Sequence, residues 1–81
     1  MPTLIQLTLY TTSNCHLCEQ AMELLSSLDN ITLNLVEIVD SDALINLYGT
    51  RIPVLQKDDH PSSELDWPFN QQAIVDFISS K

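Results

Sequence analysis

Ile5-Gln6-Leu7-Thr8-Leu9-Tyr10-Thr11-Thr12-Ser13-Asn14-Cys15-His16-Leu17-Cys18 is the stretch in which the chain changes its hydrophobic period. Ile5, Leu7 and Leu9 alternate with Gln6 and Thr8, the two-residue repeat of a strand. Thr11 to Asn14 then supply four residues that favour turns and helix caps. Beyond them Leu17, Ala21, Leu24, Leu25 and Leu28 recur at helical spacing, an amphipathic stripe that Asp29-Asn30 should stop. Cys15 is thereby placed at a strand-to-helix junction, with Cys18 in the first turn of the helix.

Working outward, Ile31 to Val39 reads as a second strand, although Leu35-Val36 slips its phase; burial on both faces and a bulge both explain the slip. Asp40 or Ser41 can cap a short helix carrying Leu44, Ile45, Leu47 and Tyr48. Gly49, the only glycine, falls where a helix C-terminus favours a left-handed residue. Ile52-Pro53-Val54-Leu55-Gln56 reads as a short strand, Lys57 to Pro61 as a turn, and Ser62 to Trp67 as an edge strand. A last helix starts near Asn70 and buries Ala73, Ile74, Phe77 and Ile78. The predicted order is β-α-β-α-β-β-α, with a right-handed parallel crossover first and a hairpin last. This is an α/β architecture: one mixed four-stranded sheet flanked by helices. No repeat, low-complexity tract or linker divides residues 1–81, so a single domain is expected.

Composition narrows the function. Three Lys and Arg stand against eleven Asp and Glu, a formal charge of −8, which leaves no basic stripe for nucleic acid or anionic membranes. One glycine rules out the glycine-rich phosphate cradles. The 44% apolar content is too high for a disordered chain. No basic, apolar leader or membrane-length run occurs, so a cytoplasmic monomer is expected, with two cysteines that are redox-active or metal-binding rather than structural. A Cys15–Cys18 bridge closes too small a loop to stiffen the unfolded chain much.

Cys15-His16-Leu17-Cys18 is the chemical centre. At a helix N-terminus, free N–H groups and the helix dipole favour a thiolate at Cys15. Cys18 lies one turn on, close enough to attack a mixed disulfide formed there. His16, when protonated, adds local positive charge, and it reads equally well as a solvated side chain. His60 reads as surface and cannot complete a zinc site with the pair, since no second histidine follows it. Pro53 fits an edge or irregular strand entry. The sharper reading is a cis Ile52–Pro53 bond that presents the Ile52 backbone beside Cys15 to an extended peptide or glutathione. Trp67 and Phe69 read as core aromatics at the sheet edge, or as a wall beside the cysteines.

Tyr10-Thr11-Thr12-Ser13-Asn14-Cys15-His16-Leu17-Cys18, the Gly49-Thr50-Arg51-Ile52-Pro53-Val54-Leu55 stretch and the element order together resemble the glutaredoxin branch of the thioredoxin superfamily. The likeness is to small bacterial glutaredoxin-like proteins with a Cys-x-Leu-Cys centre. It implies a thioredoxin-like fold and a thiol–disulfide oxidoreductase acting on disulfides of proteins or small thiols. Cys15 would be the nucleophile, Cys18 the resolving thiol and Pro53 the cis-proline. His16, Leu17, Thr50, Arg51 and Ile52 would face substrate.

Some family features are missing. No Gly-Gly pair precedes the last helix, where Glu64 to Asn70 stand, and no basic residue shortly precedes Cys15. His16 replaces the usual proline. Two of the three expected glutathione contacts thus lack their usual residues, which leaves glutathione a possible but disfavoured reductant. No resident cofactor or metal is expected, and a −8 chain suits a basic partner protein better. Two other readings compete: a C-x-x-C metal module carrying copper or a shared iron–sulfur cluster, and a non-catalytic redox-switch domain.

Overall fold

The computed structural model describes residues 5–13 and 15–79. Strand β1 (Ile5–Thr11) leads into helix α1 (His16–Ser26), then β2 (Ile31–Glu37) and a 3-10 turn at Ile38–Asp40. Helix α2 (Asp42–Tyr48), strands β3 (Val54–Lys57) and β4 (His60–Asp66) and helix α3 (Gln71–Ser79) follow. The strands form one sheet in the order β2-β1-β3-β4. β1 and β2 run parallel in unbroken register, from Ile5 opposite Ile31 to Thr11 opposite Glu37. β3 runs antiparallel to both β1 and β4. The mixed four-stranded sheet and the element order match the expected architecture.

Side-chain alternation along β1 divides the core between the two faces of the sheet. Leu7, Leu9 and Leu55 are buried with Ala21 and Leu25 of α1, Phe69, and Ile74 of α3. On the other face Val54 joins Ile38 and Tyr48 in a smaller cluster, with Tyr10, Leu44 and Ile52 packed against it. The caps follow local chemistry: Ser41 Oγ accepts the Leu44 N–H at 3.4 Å, and Asn70 Oδ1 accepts the Ala73 N–H at 2.8 Å.

Several local expectations are corrected. α1 stops at Ser26, before Asp29-Asn30, because the Ser26 and Ser27 hydroxyls donate to the carbonyls of Glu23 and Leu24 and satisfy the last turn early. Its inward face runs through Cys18, Ala21 and Leu25, so Leu17 is 44% exposed rather than core. The slip at Leu35-Val36 is neither a bulge nor double burial: β2 is an edge strand, and Leu35, opposite Leu9, is 54% exposed. Gly49 is right-handed, at φ −54° and ψ −34°. What requires glycine there is space, since a Cβ would lie 2.5 Å from the Ile45 carbonyl oxygen. The expected turn over Lys57 to Pro61 tightens to Asp58-Asp59, with Lys57 opposite His60. The side chain of His60, and Lys81, lie outside the described residues.

Candidate redox site

Cys15 is the N-cap of α1. Its backbone is extended (φ −99°, ψ 108°), its carbonyl accepts the Glu19 N–H at 3.1 Å, and its Sγ accepts the Cys18 N–H at 3.2 Å. The sulfur therefore occupies the place that a serine or aspartate oxygen takes in an ordinary cap, facing the unpaired donors of the first turn. Such a position stabilises negative charge on sulfur. Cys18 turns inward and is 1% exposed, while Cys15 is half-buried. Their Cα atoms are 5.2 Å apart and their sulfurs are joined in a disulfide. His16 and Leu17, between them, are exposed, and His16 Nδ1 lies 3.5 Å from the Glu19 carboxylate.

The loop before Cys15 is held by a residue that sequence reasoning missed. Glu37, at the end of β2 and level with Thr11, accepts the Thr12 hydroxyl at 2.8 Å and the Ser13 N–H at 3.3 Å. The available signal was an acid at the C-terminal end of a strand parallel to the one feeding the cysteines.

Strand register brings the proline segment to the same end of the sheet. Tyr10 pairs with Val54, so Pro53 is level with Thr11, four residues before Cys15. The Ile52–Pro53 peptide is cis, and so is Trp67–Pro68, which was not anticipated. Ile52 N–H donates to the Tyr48 carbonyl at 3.0 Å, and the Pro53 carbonyl accepts the Trp67 N–H at 3.2 Å. Trp67 in turn packs edge-on against buried Phe69, with ring centroids 5.0 Å apart.

Arg51 is turned toward β4 and Leu47. Its Nε donates to Asp66 at 3.0 Å, Nη2 to Asp66 and Glu64 at 2.8 Å each, and Nη1 to the Leu47 carbonyl at 3.4 Å. The guanidinium also lies 5.2 Å from the centroid of the Tyr48 ring, which stacks on Tyr10. Tyr48 donates to Glu64 at 2.6 Å. Burial, then the Glu64 hydrogen bond and charge, push the Tyr48 hydroxyl above its ordinary value. Burial raises Glu64, yet the hydrogen bonds from Tyr48 and Arg51 outweigh it and leave the carboxyl below its usual value. The Arg51 hydrogen bonds lower Asp66 likewise. Arg51 is raised by the same two carboxylates. The result is a closed network that clamps the 48–53 segment onto β4.

Cys15, His16, Leu17, Cys18 and Pro53 thus share one end of the sheet, with Thr50 exposed in the turn after α2. Among the described residues no three His, Cys, Asp or Glu side chains converge in a metal-ligating group, so a metal held by this pair would need further ligands from outside it. No helix among them is long and apolar enough to cross a membrane.

Residues 6–79 match the Glutaredoxin-like domain (DUF836) family. No curated protein gave a significant match. Among solved structures, the X-ray structure of target protein XcR50 from X. campestris is 39% identical, with 93% of this chain and 97% of that one covered at a TM-score of 0.84. The solution structure of the same protein gives a TM-score of 0.80. Protein Ne2328 from Nitrosomonas europaea is 25% identical over 98% of this chain and 96% of that one, at a TM-score of 0.73. With a match over nearly its whole length, a thioredoxin-like frame and a cysteine pair at the head of its first helix, the chain belongs to the glutaredoxin-like domain family and has a redox-type role.

Proposed function

We propose that the protein is a thiol–disulfide oxidoreductase working through the Cys15/Cys18 dithiol. The observation that carries this reading is the asymmetry of the pair: a half-buried Cys15 sulfur capping α1, and a Cys18 that is 1% exposed behind it. In the reduced protein an external disulfide meets Cys15 first. The Cys15 thiolate attacks one substrate sulfur, forming a mixed disulfide and expelling the other sulfur as a thiolate. Cys18 then attacks Cys15 Sγ and frees the second substrate sulfur, and the Cys18 proton ends on a released sulfur. Two electrons have passed to the substrate, and the protein holds the Cys15–Cys18 disulfide until an external dithiol reduces it.

Pro53 and Ile52 border this reaction, and an incoming extended segment can add to the sheet edge there. Ile52 N–H and the Pro53 carbonyl already have partners within the chain. Among the described residues the Ile52 carbonyl is therefore the backbone group of this dipeptide left to receive a substrate N–H.

The test is disulfide reduction coupled to an excess of a dithiol reductant. Cys15→Ser should fall to background, whereas Cys18→Ser should accumulate a mixed disulfide visible by intact-mass spectrometry. Undiminished turnover by Cys15→Ser refutes the proposal.

A further inference from the structure

A groove of about 410 Å³ lies along the later turns of α1 and its C-cap, lined by Gln20, Glu23, Leu24, Ser27, Trp67 and Gln71. Each of its walls continues from there toward the redox end of the molecule. One wall is α1, which Cys15 caps; the other begins at Trp67, whose N–H is bonded to Pro53. Gln71 Nε2 donates to Ser27 Oγ and ties the two walls together. Leu24 and Trp67 provide a half-buried apolar floor, and Glu23 is the one charged side chain among the lining residues.

The Lys and Arg side chains among the described residues are placed so that they do not serve this surface. Arg51 is bonded to Glu64 and Asp66. Lys57 is buried at 4% exposure, with Nζ 5.3 Å from the Phe77 ring centroid. These are the Lys and Arg among the described residues, so a carboxylate-bearing ligand meets acids, whereas a cationic one meets Glu23 and the net charge of −8.

We propose that the groove between α1 and the β4–α3 connection docks a lysine- or arginine-bearing polypeptide segment adjoining the substrate disulfide. The methylenes of such a side chain lie on Leu24 and Trp67, and its charge is set against Glu23 and the indole face. The inference rests on the dithiol reading above and adds the class of substrate: a disulfide in a basic polypeptide rather than an anionic small thiol such as glutathione.

The pre-reduced protein is reacted with matched disulfide-linked peptides flanked by lysine or by glutamate, with oxidised glutathione, and with an uncharged small disulfide. The lysine peptide should be reduced at least about tenfold faster than the glutamate peptide at low ionic strength, a ratio that shrinks with salt. Glu23→Gln should lower that ratio about two- to fivefold, the scale of one exposed ion pair. Asp76→Asn, which removes an equal charge on α3 from an acid paired with Gln72, should leave it unchanged. Trp67 is the only tryptophan, so a cysteine-free lysine peptide should shift its fluorescence saturably and a glutamate peptide should not. Equal rates for the two peptides, equal effects of the two variants, or an unresponsive Trp67 overturn the inference while leaving the dithiol reading intact if the uncharged disulfide is reduced. Failure to reduce the uncharged disulfide overturns both.

Discussion

Arg51 changes its meaning between the linear chain and the folded one. In the linear chain it is a base beside the proline segment, among the residues that the family resemblance turns toward substrate. In the fold it spans Glu64 and Asp66, with its side chain 35% exposed, and fastens the turn after α2 to β4. Removing it leaves two carboxylates of like charge close together. Arg51→Met should cost about 1 kcal/mol or less, since solvent screens a pair this exposed. The cost depends on pH with a definite sign. Glu64 and Asp66 titrate below their ordinary values of 4.5 and 3.8 in the folded chain. Their contribution is therefore fully present above that range and is lost as pH falls through it. The gap in urea midpoint between wild type and Arg51→Met should be widest near neutrality and close as the solution is acidified below those values. A gap that widens on acidification contradicts the assignment.

Helix α2 and the turn after it show how one element is fitted to the sheet. Ser41 caps its start, Tyr48 ends it inside the smaller cluster, and Gly49 N–H returns to the Ile45 carbonyl at 2.8 Å. Because a Cβ on residue 49 would press on that same carbonyl oxygen, Gly49→Ala should destabilise the protein by about 1–3 kcal/mol, as overpacking does. Asparagine separates this cause from the usual one. It relieves the penalty at a left-handed glycine, so Gly49→Asn should be no better than alanine in thermal melts here. Recovery of stability by asparagine points instead to a positive-φ conformation.

For the molecule as a whole the decisive quantity is charge. Its principal extents are 38 × 23 × 19 Å, while salt screens charges beyond about 8 Å at physiological ionic strength. At low salt the excess acids therefore repel one another across the fold, and at moderate salt they do so far less. Raising NaCl from about 10 mM to about 0.5 M should stabilise the chain by roughly 1 kcal/mol, or about 4–8 °C in Tm. A fall in Tm over that range shows that ion pairs such as Arg51 with Asp66 outweigh the general repulsion.

Local chemistry was readable from the chain alone. The change of period at Thr11 to Asn14 located the cysteine pair at a helix start, and the order of elements followed from alternation, caps and turn residues. These depend on neighbours a few positions apart, so no knowledge of the fold is needed. The remaining assignments join residues that are distant in sequence and adjacent only through sheet register. Glu37 holds the loop at Thr12 because β2 is parallel to β1, and Arg51 meets Asp66 because β4 lies beside β3. Leu17 is exposed and Cys18 buried because α1 is rotated to fit Leu7, Leu9 and Leu55. The sequence alone determined where the dithiol sits; packing across the sheet decided which sulfur is hidden and which base is neutralised, because each is set by long-range register rather than local pattern.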